Sequence, residues 1–450
     1  MNAQQPGART LTPPRARLAA AIAVIATAAL AAPASAHQPA RSSAVSDWSA
    51  NAGKAALAAC LAPDNDPLHE SRLYAMTHIA IHDALNAIDR RSRPYAFAGR
   101  ARRGASVDAA VAAAARGVLV PVLAEQTTEP LASCVGAGVA SVEADYAAAL
   151  DAIPDGRAKR RGLAVGGAAA TAVVAQRAGD GADTTLFDAD FPQVTTPGVW
   201  RFTPGTAFAF APGWADVTPF VLRDASQYRP GPPYPLASRR YARDFNEIKE
   251  IGSLTSQTRT AEQTEIARFW LATPTAIWNV VARQVMQARG LDLSESARAL
   301  ALIYLASADA SVACWTAKYT FNFWRPITAI RNGDVDDNAS TEADPAWTPL
   351  FATPPHPEYL SGHSTNSSAM ATVMMLLFGD EPGAPIVATS PTNPGFERHW
   401  QRLSEGVDEV IEARIYSGIH YRSADEDGAQ LGGKVARFVV NHALRARRNH

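Results

Sequence analysis

Alanine-rich segments with apolar residues at helical spacing recur through most of the 450-residue chain. The clearest of them places seven apolar residues three or four positions apart: Leu73, Met76, Ile79, Ala80, Ala84, Ala87 and Ile88. This spacing is typical of one face of an α-helix, and alanine has the highest helix propensity. With 47% apolar and 19% charged residues, the chain can bury a sizeable core. We therefore predict an all-α fold.

The first 36 residues have the pattern of a signal peptide. Arg15 and Arg17 precede an apolar run from Leu18 to Ala32, and small residues at 34–36 form a cleavage signal. A membrane anchor is the alternative, but the apolar run is shorter than the ~20 residues that span a bilayer. We find no other run of that length. We expect a secreted or periplasmic protein with its fold in residues 37–450.

The charge balance argues against a nucleic-acid partner. The whole chain has a net charge of −1, and residues 1–36 contain three arginines and no acidic residue, so the mature chain has a net charge of −4. Nucleic-acid-binding domains are usually strongly basic.

The three cysteines are Cys60, Cys134 and Cys314. One disulfide is possible in an export compartment, and the odd count leaves one thiol free. Cys60 and Cys314 lie in apolar helical contexts, which favours buried thiols at both positions.

The pattern divides the mature chain into three parts. Residues 45–185 are predicted to be helical. Residues 186–238 are rich in Pro, Gly and aromatic residues and are predicted to form a long loop or lid. Residues 239–450 return to a helical pattern up to about Trp324, followed by a loop over 326–360 and helices near 361–378, 400–417 and 424–446.

The first segment of chemical interest joins Lys318 to Arg325 and Pro326. A spacing of seven residues is almost two helical turns, so Lys318 and Arg325 are predicted to project from one helix face. Pro326 is predicted to end that helix. A solvated basic face is the alternative, but the residues between the two cations are mostly aromatic.

The second segment contains Ser361, Gly362 and His363. Ser361 and Gly362 are predicted to open a helix that ends before Gly379. Free N–H groups at a helix start attract anions, and His363 lies beside them, where it can move protons. An ordinary capped helix start is the alternative.

The third segment contains Arg414, Gly418 and His420. Gly418 is predicted to break one helix, and Ser423 with Glu426 to form a capping box that starts the next. His420 then lies in the turn between them, either as a reactive side chain or as a solvated loop residue.

Together these segments provide three cations, a hydroxyl, a helix start and two histidines. This set suits a tetrahedral oxyanion: the cations neutralise the equatorial oxygens, one histidine takes an apical position, and the other acts as acid or base.

The three segments resemble the pattern Lys-x6-Arg-Pro, Pro-Ser-Gly-His and Ser-Arg-x5-His of the vanadium haloperoxidases and acid phosphatases. Leu360 replaces the first Pro of the second motif and Ala413 replaces the Ser before Arg414; neither change removes a ligand. The motifs cover about 110 residues. Segments around Arg72–Asn86 and Arg259–Trp270 also resemble secreted bacterial haloperoxidase-like proteins.

The resemblance implies helical bundles and assigns a role to each residue. It implies that one vanadate, or a phosphate, is held through its equatorial oxygens by five residues: Lys318, Arg325, Ser361, Gly362 and Arg414. It implies that His420 binds vanadium, or attacks phosphorus in a phosphatase that needs no cofactor. His363 would be the acid or base.

The ligand set is the same in a peroxidase and a phosphatase, so only residues near the ligands, Trp315 and His356, can distinguish them. Trp315 resembles the fungal-type chloroperoxidases, with core packing as the alternative for this residue, and His356 resembles the algal bromoperoxidases. We expect a haloperoxidase that favours bromide, with hydrogen peroxide, halide and a small organic acceptor as partners. A secreted acid phosphatase and a non-catalytic oxyanion-binding protein are the alternatives, and an oligomer is possible.

Two further histidines, His78 and His82, are spaced i,i+4 as zinc ligands can be, but the sequence offers no third ligand. We expect them and Asp83 to pack inside a buried helix, with Asp83 paired to an arginine of the site.

Overall fold

The computed structural model describes residues 43–447, which contain thirteen α-helices and two small antiparallel sheets. The prediction of an all-α fold is confirmed. The predicted signal peptide, residues 1–36, lies outside the described residues.

The first five helices form the N-terminal part of the structure. They are α1 (Ala44–Ala58), α2 (Pro67–Ile88), α3 (Val107–Ala124), α4 (Val135–Asp151) and α5 (Arg157–Arg177). Helix α2 buries every residue from Leu68 to Ala87, as expected for a helix surrounded by others. It packs against α3 and α5, and α3 packs against α4 and α5.

The Pro-rich segment 186–238 contains little regular structure. Strand β1 (Phe187–Asp188) pairs with β2 (Ala209–Phe210), and a short 3₁₀ helix covers Pro212–Asp216. Trp200 and Trp214 are fully buried, so the segment contributes to the core and is more than a surface lid.

The C-terminal part contains the remaining helices and a second sheet. Its helices are α6 (Arg239–Ile251), α7 (Ala261–Phe269), α8 (Pro274–Ala288), α9 (Leu293–Phe321), α10 (Pro326–Arg331), α11 (Gly362–Phe378), α12 (Leu403–Tyr416) and α13 (Arg422–His442). Strands β3 (Ile386–Ala388) and β4 (Arg398–Trp400) pair between α11 and α12, with Ile386 opposite Trp400.

Helix α9 lies at the centre of the structure. Its start is fixed by a capping box in which Asp292 and Glu295 bond each other's backbone N–H groups. Every residue from Ala299 to Trp315 is buried, and the helix packs against α2, α11 and α13. Helix α9 therefore connects the N-terminal helices to the C-terminal ones.

Two described helices are long and apolar enough to span a membrane by length and composition. They are Val107–Ala124 and Leu293–Phe321, whose most apolar windows are 61% and 94% buried inside the protein. The sequence-based statement that no second run reaches such a length was therefore wrong. Burial of this extent is what core helices show.

A disulfide joins Cys60 to Cys134 across 74 residues of sequence, and Cys314 is a buried free thiol. The prediction of a buried thiol is confirmed for Cys314 and was wrong for Cys60. The pairing depends on α1 and α4 packing together, which local sequence patterns do not reveal.

Glycines on α13 allow a close approach to α11. A Cβ atom added at Gly432 would lie 2.1 Å from the carbonyl oxygen of Thr365, whereas one added at Gly433 would find its nearest neighbour at 3.5 Å. The contact matters for the site because the first turn of α11 carries Ser361 to His363.

Alanine substitutions at Gly432 and Gly433 should have different effects on stability. We expect Gly432→Ala to lower the free energy of unfolding by about 1–3 kcal/mol, because the methyl group overpacks the helix contact. Gly433→Ala should leave stability unchanged or raise it by up to about 1 kcal/mol through helix propensity. Denaturant unfolding of both variants measures this, and equal stabilities would contradict the proposed packing.

Candidate functional site

Lys318 lies in the last turn of α9 and is completely buried. Its Nζ donates to the carbonyl oxygens of Pro357 (2.9 Å) and Glu358 (3.1 Å). Burial lowers the pKa of the Lys318 ammonium to about 7, with Arg325 adding repulsion. The Nζ also lies 5.7 Å from the centre of the Trp315 ring, one turn earlier on the helix.

Arg325 reaches the same region from a different element. Helix α9 ends at Phe321, Asn322 adopts a left-handed conformation with φ +45°, and Arg325 is the residue before α10. Pro326 begins a helix here, as proline commonly does at the first helical position. The predictions that Lys318 and Arg325 share a helix face, and that Pro326 ends that helix, were therefore wrong.

The Arg325 guanidinium is completely buried and held by backbone oxygens. Its Nε donates to the His356 carbonyl and its Nη1 to the Ile419 carbonyl, both at 2.8 Å. Its Nη2 lies 2.9 Å from His356 Nδ1. The same nitrogen of His356 also lies 3.1 Å from the Pro357 carbonyl oxygen.

Ser361 caps α11 and Gly362 is its first residue, and the helix ends at Phe378 before Gly379. The predicted helix is confirmed. The Ser361 hydroxyl accepts from the Ser364 N–H at 3.4 Å, and the Ser364 hydroxyl donates to Asp425 at 2.7 Å. The helix start lies close to the cations, because, in addition to burial, Arg414, Lys318 and Arg325 all lower the pKa of His363, the second residue of α11.

Arg414 lies in the last turn of α12 and is 2% exposed. Its Nη1 donates to the Trp270 carbonyl at 2.6 Å. Its Nε is buried and has no hydrogen-bond partner within residues 43–447. Burial lowers the pKa of Arg414 to about 10, which leaves it protonated at neutral pH.

His420 lies in the predicted turn between two helices and is 2% exposed. Gly418, at φ +79°, makes the turn after α12, and α13 begins at Arg422 with Tyr421 as its cap residue. The capping box predicted for Ser423 and Glu426 was wrong, because the helix starts before Ser423. His420 is a buried residue and not a solvated one.

Glu358 is a candidate site residue that the sequence analysis missed. Its carboxylate is completely buried, and its Oε1 accepts from His420 Nδ1 and from the Tyr421 N–H, both at 2.9 Å. The bond to Nδ1 leaves Nε2 as the lone-pair nitrogen of His420. That nitrogen lies 3.3 Å from Arg325 Nη1. The only sequence signal was a single carboxylate within a Pro-rich run.

His363 and His356 flank the cations. His363 Nε2 lies 3.1 Å from the Ala272 carbonyl; donation there leaves Nδ1 with the lone pair. The His356 ring lies 5.0 Å from the Trp315 ring, centre to centre. Burial lowers the pKa of His356, His363 and His420 well below the usual value, and Lys318 and Arg325 lower each further. All three rings are neutral at pH 7.

Arg325, Arg414 and the protonated form of Lys318 create a positive interior. Within the described residues, none of Lys318, Arg325 and Arg414 has a carboxylate at ion-pair distance. Burial raises the pKa of Glu358 and brings that of Asp425 to about 7, so these acids compensate only part of the charge. Buried cations of this kind need a compensating anion.

The residues present fit a tetrahedral oxyanion. Three buried cations, an unpartnered Arg414 Nε, a helix N-terminus and the lone pair of His420 Nε2 come together from three separated segments. Arginine forks and helix N-termini are the groups that bind such anions most readily. No group of three or more His, Cys, Asp or Glu side chains that could hold a metal ion occurs within residues 43–447.

Asp83 does not reach this site. Its carboxylate bonds His82 Nδ1 at 2.9 Å and accepts the backbone N–H groups of Tyr95, Ala96 and Phe97 at 2.7–3.2 Å. The expectation that Asp83 pairs with a site arginine was wrong, because local backbone donors satisfy it. His78 is buried and stacked on Tyr304, 4.8 Å between ring centres, which confirms the packing interpretation.

Fold and site together define a helical-bundle protein with a buried, cation-rich site suited to a tetrahedral oxyanion. A family model described as the VCPO second helical-bundle domain matches residues 298–449. The vanadium chloroperoxidase of Curvularia inaequalis is 29% identical over 38% of this chain and 37% of its own length. The chain thus matches little more than a third of that relative.

Solved structures show the same fold. A bacterial vanadium-dependent iodoperoxidase superposes with a TM-score of 0.72 at 24% identity, covering 90% of this chain and 98% of that one. A holo-type bacterial vanadium-dependent chloroperoxidase gives 0.64 at 18% identity, covering 87% and 94%. The chain therefore shares its fold with bacterial vanadium-dependent haloperoxidases, and residues 298–449 resemble the second helical-bundle domain of that family.

The contact between Glu358 and His420 predicts the tautomer of the histidine. We expect ¹⁵N NMR of histidine-labelled protein to show His420 protonated at Nδ1 in the wild type and in Glu358→Gln, whose amide oxygen can still accept. Glu358→Leu should lose that preference, because Nδ1 no longer has an acceptor. His420→Gln identifies the signal, and an unchanged tautomer in the leucine variant would contradict the assignment.

His78 predicts a pH effect on stability. Burial lowers its pKa from 6.5 to about 3, so the unfolded chain binds a proton below pH 6.5 that the folded protein does not. Stability is therefore lost as pH falls below 6.5. Between pH 7 and pH 5, the wild type should lose about 2 kcal/mol more than His78→Phe. Denaturant unfolding of both proteins at pH 7 and pH 5 measures this. An equal loss of unfolding free energy in the wild type and the variant would refute the prediction.

Proposed function

We propose that this protein is a vanadium-dependent haloperoxidase that uses hydrogen peroxide to oxidise halide. The observation that carries the proposal is the contact between His420 Nδ1 and the buried Glu358 carboxylate. The contact leaves the Nε2 lone pair of His420 facing a cation-rich centre. A neutral imidazole with a free lone pair is the form that binds a metal.

The oxyanion would be held by the residues that supply positive charge and donors. Lys318, Arg325 and Arg414 provide charge, and Ser361 and Gly362 provide the hydroxyl and the helix-start N–H. The Arg414 Nε, buried without a protein partner in the described region, is a donor ready for such a ligand. When bound, vanadate supplies Lewis-acid activation of hydrogen peroxide.

The protein side chains divide the remaining tasks. The cations hold negative charge in place without further reorganisation, as preorganised donors do. His363, neutral and with its Nδ1 lone pair available, accepts a proton from the entering hydrogen peroxide. Trp315 and His356 form the wall next to Lys318 and would meet the halide. The oxidised halide would then pass to a small organic acceptor.

Bromide is the halide that we propose, and His356 is the reason. Its ring lies at hydrogen-bond distance from Arg325 and packs against Trp315. An apolar residue at this position would leave this part of the wall without a hydrogen-bonding group. Oxidation rates for iodide, bromide and chloride under matched conditions test this choice; a chloride rate equal to the bromide rate would contradict it.

A secreted acid phosphatase is the second candidate, and the same observation supports it. The free Nε2 of His420 is equally suited to attack phosphorus, with His363 protonating the leaving alcohol. Phosphate and vanadate share shape and charge, so the two activities would compete for one site.

We also propose an export destination. The signal pattern of residues 1–36 and the Cys60–Cys134 disulfide both fit a secreted or periplasmic protein, because structural disulfides persist in oxidising compartments.

Metal-stripped protein should brominate a phenol dye with hydrogen peroxide only after orthovanadate is added, and inorganic phosphate should inhibit. His363→Ala should lower the bromination rate by about 10²- to 10⁴-fold, as expected for loss of a general base, while orthovanadate binding by calorimetry is retained. His399→Ala is the matched control, because His399 lies on the surface.

Other outcomes separate the alternatives. Hydrolysis of a phosphomonoester without vanadate, inhibited by vanadate, would assign the phosphatase activity. Vanadate binding with neither reaction, and unaffected by His363→Ala, would leave a non-catalytic oxyanion-binding protein.

A further inference from the structure

A second basic region lies in the N-terminal part of the structure, between residues 97 and 168. A cavity of about 770 Å³ opens between the α2–α3 connection and α5. Five arginines line it: Arg100, Arg102, Arg157, Arg160 and Arg161. We call it the arginine cleft. Its volume lies within the range of small-molecule sites, about 300–1,000 Å³.

The cleft concentrates positive charge on a chain whose net charge is close to zero. The connection over residues 89–106 contains six arginines and one aspartate, although the whole chain has a net charge of −1. None of the five lining arginines forms an ion pair within residues 43–447. A concave surface lined by one sign of charge focuses the field and concentrates counter-ions.

The fold holds the two walls of the cleft together. The Ser106 N–H donates to the Ala158 carbonyl at 2.9 Å, and Arg161 donates to the Arg103 carbonyl. A Cβ atom at Gly162 would lie 2.3 Å from the Ser106 oxygen, so the helix and the connection are in close contact. The cleft is therefore a feature of the packed structure.

Helix α5 presents its charge on one face. Arg157, Arg160 and Arg161 are followed at helical spacing by Ala164 and Ala168, which also line the cavity. The first turn contains no acidic residue, and no side chain caps the helix. Cations at a helix N-terminus oppose the helix dipole, so this arrangement weakens the isolated helix and favours a bound anion.

We propose that the arginine cleft binds a small polyanion that carries several phosphate or sulfate ester groups. Guanidinium forks bind the oxygens of these tetrahedral groups in pairs, and five of them around one cavity suit a ligand with several such groups. A single inorganic phosphate would engage only part of the cleft.

The test is isothermal titration calorimetry of the full-length mature protein at 0.15 M salt. The probes are myo-inositol hexakisphosphate, sucrose octasulfate and inorganic phosphate. We expect both polyanions to bind and the Arg102→Gln/Arg160→Gln/Arg161→Gln variant to lose at least about tenfold in affinity. The better of the two polyanions identifies the ester. Binding of inorganic phosphate at the buried site around Arg414 should be the same in both proteins.

A control variant and a second variant make the result decisive. Arg223→Gln/Arg239→Gln removes two exposed arginines outside the cleft and should retain wild-type affinity. Should the triple variant fail to fold, Ala164→Glu places a negative charge in the cleft from an exposed helix position and should weaken both polyanions. No polyanion binding by the wild type, or equal binding by wild type and cleft variants, would overturn the proposal.

Discussion

Lys318, Arg325 and Arg414 are buried without a carboxylate ion pair within residues 43–447, and the surrounding structure must stabilise their charge in another way. Moving a charged group out of water costs several kcal/mol unless other groups compensate for the lost hydration. In the described residues, backbone carbonyls provide the contacts to Lys318, Arg325 and Arg414. Carbonyl dipoles stabilise the cations without cancelling their charge, so the interior remains strongly positive and selective for an anion of matching shape.

That arrangement requires several elements to meet at one place. Lys318 comes from the central helix α9, Arg325 from the start of α10, and Arg414 from the end of α12. The Pro-rich segment also takes part. Asp309 of α9 accepts the backbone N–H groups of residues 220–222, and the Phe210 carbonyl accepts the Tyr319 hydroxyl at 2.6 Å. The segment is thereby fastened to the helix that carries Lys318.

Much of the site could be predicted from sequence because its chemistry depends on residue type. Cations among aromatic residues, a Ser-Gly helix start and a histidine after a turn glycine are recognisable without coordinates. The position of Arg325 was not predictable, because Pro326 can end one helix or begin the next and only the turn at Asn322 decides. The presence of the helices was predicted well. Their ends were predicted less well, because they depend on which residue caps each helix.

The errors that remain concern partners distant in sequence or hidden in the backbone. Glu358 was missed since one carboxylate in a Pro-rich run has no spacing that marks it, and its partner His420 is 62 residues away. Asp83 was paired with the wrong group because backbone N–H donors cannot be read from side-chain patterns. Cys60 was taken for a thiol since its partner lies on another helix.

The reliance on carbonyl acceptors has an evolutionary consequence. The oxygens that hold the cations belong to Trp270, His356, Pro357, Glu358 and Ile419. Every amino acid carries that same oxygen, so these contacts survive substitution of the residue that provides them as long as the chain keeps its path. Distant homologues can therefore drift at such positions while retaining the same cation geometry, and comparison of side chains alone would understate how much of the site they share.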